Sequence, residues 1–241
     1  MRYAFIADIH ANYDALLAVL AQIDAADVQA TYCLGDLVGY GAEPSQCVRA
    51  VRERQILTVA GNHDFAVVGK LGTDYFNPDA QDSVHWTRSA LTPEDCAYLG
   101  GLPLAHQEDS FAFTHGTFLD PAAFEYILTA RDAELCFAAM PKPYAFVAHS
   151  HVPMTFFRNH ESIGVTADPV FAASAGYRAI FNVGSVGQPR DANPSAAFVV
   201  FDSDARAIEV RRVAYDIDAA ARKIFMAGLP PSNAYRLYLG R

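Results

Sequence analysis

Five short stretches carry side chains able to do chemistry: Asp8-Ile9-His10, Gly35-Asp36, Gly61-Asn62-His63-Asp64, Thr114-His115-Gly116 and Ala148-His149-Ser150-His151. Together they offer enough oxygen and imidazole donors for two adjacent metal ions, with one histidine left over. Several follow an apolar run ending in a small residue, as a strand does when it delivers a side chain to the edge of a sheet. One carboxylate or histidine at such an exit means little, but ligand-type residues at Asp8, His10, Asp36, Asn62, His115, His149 and His151 together point to metal.

Asp8 and His10 are two apart, which on an extended chain points both side chains the same way, toward one cation. Asp36 follows Gly35, whose freedom permits a tight turn while the carboxylate faces a cavity. Because each carboxylate oxygen can hold a metal, Asp36 is the candidate bridge between two ions. Asn62 offers a neutral carbonyl oxygen that limits the negative charge gathered there. His149 and His151 are again two apart, and Pro153 marks an irregular or edge position after them. Hard oxygens mixed with imidazoles suit Mn, Fe, Zn, Co or Ni better than Ca.

The order and spacing of these motifs resemble the calcineurin-like metallophosphoesterases, whose pattern is D-x-H, G-D, G-N-H-D, H and G-H-x-H. The resemblance runs from Asp8 to the Asn182–Asp191 segment. One departure is Ala148, where the family usually has glycine before the last histidine pair. The resemblance implies a four-layer αββα sandwich, two mixed β-sheets flanked by helices. It also implies that Asp8, His10, Asp36 and His151 hold one metal, and that Asp36, Asn62, His115 and His149 hold the other. His63 then lies beside the metals as general acid, with Asp64 accepting from its second ring nitrogen and raising its pKa. The implied reaction is attack on phosphorus by a hydroxide bridging two divalent or trivalent ions, with His63 protonating the leaving alkoxide.

Positioning these groups requires a particular run of elements. Residues 2–7 read as a buried strand, Tyr13–Ala25 as a helix, Thr31–Leu34 as a strand, Glu43–Arg54 as a helix and Ile56–Ala60 as a strand. Such alternation predicts right-handed crossovers and a largely parallel sheet, with ligands bound beyond the carboxyl ends of its strands. Residues 65–103 and 117–142 read as helical insertions that wall the site, with Phe111–Thr114 between them as a strand aimed at His115. From Tyr144 the texture turns strand-like, over Tyr144–Ala148, Met154–Arg158, Arg178–Val183, Ala196–Asp202 and Ile208–Val213, before a helix over Asp216–Ala227. With no repeat or linker, residues 1–241 read as one domain.

Three further residues are candidates to touch substrate: Asn12 and Tyr40, just beyond the first two motifs, and Arg190, in a glycine-rich loop where a guanidinium can grip phosphate bidentately. His85, His106 and His160 match no motif. The chain of 241 residues is 52% hydrophobic and 19% charged, so it can bury a sizeable core. Its net charge of −9 argues against non-specific nucleic-acid binding. A small phosphorylated substrate stays compatible, because bound cations reverse the local field. The four scattered cysteines read as buried, reduced thiols, and no apolar stretch approaches the ~20 residues of a membrane helix. The N-terminus enters a strand at once, so the expected location is cytoplasmic.

The expected activity is a two-metal phosphoesterase acting on phosphodiester or nucleotide-type substrates, including dinucleoside polyphosphates. The alternatives are a phosphomonoesterase or Ser/Thr protein phosphatase-like activity, and a non-catalytic binding scaffold of the same fold. Composition does not set the oligomeric state.

Overall fold

The computed structural model describes residues 1–159 and 162–241. The chain order is β1 (Arg2–Ile6), α1 (Tyr13–Asp24), β2 (Ala30–Cys33), α2 (Pro44–Glu53), β3 (Leu57–Thr58), α3 (Asn62–Val67), α4 (Pro78–Ala90), α5 (Pro93–Gly100), β4 (Ala105–Gln107) and β5 (Phe111–Thr114). It continues with α6 (Ala130–Ala139), β6 (Tyr144–Val147), β7 (Met154–Arg158), β8 (Ile163–Thr166), β9 (Val170–Ala172), β10 (Arg178–Asn182), β11 (Ala196–Asp202), β12 (Ala207–Val213), α7 (Ile217–Met226) and α8 (Pro231–Leu239).

The strands form two mixed six-stranded sheets, ordered β3-β2-β1-β11-β12-β9 and β4-β5-β6-β10-β7-β8. Within the first, β1, β2 and β3 are parallel; within the second, β5, β6 and β10 are parallel. Side-chain alternation explains the layering. Tyr3 and Phe5 of β1, Tyr144 and Phe146 of β6, and Phe201 of β11 point into a core between the sheets, where Phe5 stacks on Phe146 at 3.7 Å between ring centroids. Truncating a buried phenylalanine of this kind costs about 3–5 kcal/mol.

The opposite faces carry helices. Ala4 and Ile6 of β1 and Phe198 and Val200 of β11 pack with Leu16, Val19 and Leu20 of α1 and Val48 and Val51 of α2. Ala145, Val147 and Ile180 pack with Ala133, Cys136 and Phe137 of α6. This is the four-layer αββα sandwich. Parallel strands end at the same edge, so both sheets present their carboxyl ends side by side.

The structure corrects several sequence-based expectations. The 117–142 insertion is helical only in α6, and residues 117–129 are irregular. The short strands β4, β8 and β9 carried too few residues to show a period. After α7 a further helix follows that was not expected, because Pro231 opens α8 at a position where its missing N–H has no intrahelical partner. Among the described residues no helix is long and apolar enough to cross a membrane.

Candidate metal centre

The strand ends deliver the expected side chains to one place. Asp8 follows β1, Asp36 follows β2, Asn62 opens α3 after β3, His115 follows β5, and His149 and His151 follow β6. The D-x-H and H-x-H pairs are not extended, as their spacing suggested. Asp8, His10, Asp36, His149 and His151 all lie in the left-handed region, with φ between +49° and +68°. Past Ile6 the strand ladder stops and the backbone bonds crosswise instead, from Asp8 N to Gly35 O (3.0 Å) and from His10 N to Asp36 O (2.9 Å). That conformation costs about 1–2 kcal/mol per residue.

Three imidazoles are oriented by the backbone. His10 Nδ1 lies 3.1 Å from Val38 O, His115 Nδ1 2.7 Å from Leu34 O, and His151 Nδ1 2.6 Å from Gln188 O. With Nδ1 donating to a carbonyl, the neutral His10 and His151 rings each present an Nε2 lone pair to the centre. There His10 Nε2 faces His151 Nε2 at 3.1 Å, and His115 Nε2 faces His149 Nδ1 at 3.1 Å. Facing lone pairs repel unless a proton or a metal ion lies between them.

The carboxylates close the cluster. Asp8 Oδ1 is 3.4 Å from His151 Nε2, and Asp36 Oδ2 is 3.4 Å from His115 Nε2 and 3.7 Å from His10 Nε2. The buried oxygens Asp8 Oδ1, Asp36 Oδ2 and Asn62 Oδ1 have no hydrogen-bond partner among the described residues. Buried acceptors without donors are costly unless a cation satisfies them. The ligand atoms fall into overlapping sets, each within 4.8 Å: Asp8, His10 and His151; His10, Asp36 and His63; Asp36, His115 and His149. These donor sets suit metal binding, and Asp36 belongs to two of them.

Electrostatics follow the burial. Burial pushes Asp8 up to about 7. Burial opposes the Asp36 charge too, but His115, His63 and His10 outweigh it and hold its carboxyl well below the usual range. His115 is disfavoured by burial, yet the charge of Asp36 and its contact raise it to about 9.

His63 and Asp64 depart from expectation. Asp64 makes no hydrogen bond to His63. Its Oδ2 accepts from Asp36 N (2.8 Å) and Gly61 N (3.0 Å), and its Oδ1 from Leu37 N (2.9 Å) and Val38 N (3.4 Å). In this geometry Asp64 clamps two turns and does not orient the His63 ring by a hydrogen bond. His63 Nδ1 is buried without a partner among the described residues, beside Gly39, where φ of +89° and the nearby ring both require glycine. Tyr40, Phe76 and His10 surround the ring at 4.6, 4.9 and 4.9 Å. Burial lowers His63 to about 4 instead of raising it; the Asp36 charge opposes this, and Arg190 and His115 add to it.

Among the substrate candidates, Asn12 is committed elsewhere. It caps α1 by accepting from Ala15 N and donates to Gly187 O (2.9 Å). Tyr40 and Arg190 both line a cavity of about 310 Å³ beside the cluster. Arg190 does not pair with Asp191, which binds Arg212. It lies over the Tyr40 ring, donates to Gln188 Oε1 (2.8 Å) and leaves its buried Nε without a partner among the described residues. His85 is exposed and His106 pairs with Glu108, both outside the donor sets, while His160 lies outside the described residues.

Sequence reasoning missed the supports. Ser185 Oγ donates to Asp8 O, and Asn182 Nδ2 to Ala148 O, so the Asn182–Asp191 loop ties the strand exits together. Ala148 fits the place expected for glycine, packing between the sheets and donating to His115 O at 2.8 Å. Phe76, Phe124 and Tyr126 line the cavity from the insertions, where no motif marked them.

A buried oxygen and imidazole cluster at the joined edge of two stacked sheets defines a metal-dependent hydrolase. Residues 1–206 match the calcineurin-like phosphoesterase superfamily domain, and the chain belongs to that family. It is accordingly a phosphoric ester hydrolase. It is similar to a metallophosphoesterase from Sphaerobacter thermophilus, 39% identical with a TM-score of 0.87, covering 100% of this chain and 99% of that one. It is also 37% identical to the uncharacterized protein MJ0912 of Methanocaldococcus jannaschii, over 99% of this chain and 98% of that protein. A symmetrical bis(5'-nucleosyl)-tetraphosphatase of Actinobacillus pleuropneumoniae serotype 5b is 29% identical over 135 residues, 54% of this chain and 50% of that enzyme.

Proposed function

We propose that this protein is a two-metal phosphodiesterase for small, nucleotide-type phosphate esters. Asp8, His10, Asp36 and His151 would hold one ion, and Asp36, Asn62, His115 and His149 the other. When bound, two such cations neutralise phosphoryl oxygens and lower the pKa of a water. The observation that carries the metal assignment is the set of unpartnered oxygens beside the facing lone pairs of His10 and His151.

The chain's own residues do the rest. Arg190, steadied by Tyr40 and Gln188, lines the cavity and would donate from its guanidinium to non-bridging phosphate oxygens. His63 borders the cavity and gives its proton to the departing oxygen. Because burial and Arg190 hold His63 neutral, it would act as the acid only after taking a proton from solvent, which the charge of Asp36 and of an entering phosphate favours. The partial similarity to a nucleosyl-tetraphosphatase and the aromatic cavity wall support a nucleotide-type ester.

The test compares bis-p-nitrophenyl phosphate, p-nitrophenyl phosphate, a phosphopeptide and a nucleotide panel with the metal-free protein reloaded with Mn, Fe, Zn, Co or Ni. Diester and nucleotide turnover should exceed phosphopeptide turnover. A protein that binds no transition metal, or cleaves only the phosphopeptide, overturns the proposal.

A further inference from the structure

Two aromatic side chains border the cavity with no part in holding metal or moving a proton. Tyr126 lies nearly parallel to the His149 imidazole, with centroids 3.9 Å and planes 14° apart, yet 47% of its surface is exposed. One ring face rests on imidazole, and the rest borders the cavity. Tyr75, from the other insertion, lines the same cavity and is 100% exposed, with no ring contact to any described residue. Arg190 lines the same cavity as Tyr126 and Tyr75.

We infer that Tyr126, assisted by Tyr75, is the stacking platform for one planar ring, a nucleobase or aryl group, carried by the phosphate ester. This rests on the phosphodiesterase reading and adds what adjoins the phosphate. The His149 ring fixes the orientation of Tyr126, so stacking costs little further ordering. Arg190 lines the same cavity, so a phosphate it grips enters the space that the platform borders. The cavity of about 310 Å³ lies at the lower end of the roughly 300–1,000 Å³ found for small-molecule sites. It accommodates one ring and its phosphate, so a dinucleoside substrate would keep its second base outside.

The test is calorimetric binding of AMP, ribose 5-phosphate and inorganic phosphate to the Mn-loaded protein, with metal content measured in parallel. AMP should bind on the order of 10-fold more tightly than ribose 5-phosphate, the effect of one stacked base. Tyr126→Leu should bring that ratio close to one while ribose 5-phosphate still binds; Tyr126→Phe should keep it. Tyr75→Ala, at a fully exposed position that cannot unfold the core, should lower the ratio in part. A parent protein without AMP preference, or an unchanged ratio in both Tyr126→Leu and Tyr75→Ala, overturns the inference. Should Tyr126→Leu lose metal through His149, Tyr75→Ala alone decides. Failure of the phosphodiesterase reading looks different: neither phosphate nor ribose 5-phosphate binds, and bis-p-nitrophenyl phosphate stays intact.

Discussion

Asp64→Asn separates a structural from a chemical role for the most buried carboxylate outside the donor sets. Both Asp64 oxygens accept two backbone N–H groups each, from Asp36 and Gly61 on one side and from Leu37 and Val38 on the other. An asparagine matches the shape but not the chemistry, because either orientation of its amide puts an NH2 against two N–H donors. Each buried donor left without an acceptor costs about 1–3 kcal/mol. With some relaxation and the weakest bond already 3.4 Å long, the loss should total about 3–5 kcal/mol, at the upper end for one substitution. In a chain of this size that lowers the melting temperature by about 10 °C. Thermal melts of chelated protein read this without metal masking the change. The reasoning is refuted if Asp64→Asn melts with the parent and loads metal normally but has lost turnover, since Asp64 would then act on the reaction and not on the turns.

Three further outcomes follow from the centre. His63→Ala should keep its metal content and lose about 10²–10⁴-fold in turnover on substrates with poor leaving groups; loss of metal instead would make His63 a ligand, as its place in one donor set allows. Asp36→Ala should lower bound metal, measured by elemental analysis of the reloaded protein, because Asp36 is shared between both proposed sites; full loading would refute the sharing. Metal uptake should tighten as pH rises from about 6 to 8, because ligands must be deprotonated to bind. The sign follows from Asp8 at about 7 and His115 at about 9, both of which retain protons near neutrality that metal must expel. A chelator competition that gives pH-independent affinity would contradict it.

The residue types at the centre were legible because metal chemistry restricts them; their conformations were not. Strand alternation predicted that Asp8 and His10 share a direction by being extended, yet left-handed turns bring them together once the ladder ends. Sequence adjacency suggested that Asp64 orients His63, but both sit in α3, where consecutive side chains do not face each other. The same geometry frees Asp64 to reach the Gly35–Asp36 turn. Strands made of continuous apolar runs, such as β1, β6 and β11, were readable to within a residue or two, whereas β9 spans only three residues. Tyr126 was invisible because its role comes from a ring stacked on His149, across a contact that no local pattern encodes.

The centre is costly to assemble without cations. Its left-handed residues are strained, its oxygens lack donors, and its imidazole lone pairs face one another. Two features oppose that cost. The aromatic core between the sheets fixes the strand ends from below, with Phe5 stacked on Phe146 directly under the exits to Asp8 and His149. Above it, Asp64, Ser185 and Asn182 bind backbone groups of the turns themselves, so the geometry does not depend on the ligands attracting each other. A scaffold that holds repelling donors in place is organised in advance for a cation, because binding relieves repulsion and requires little rearrangement.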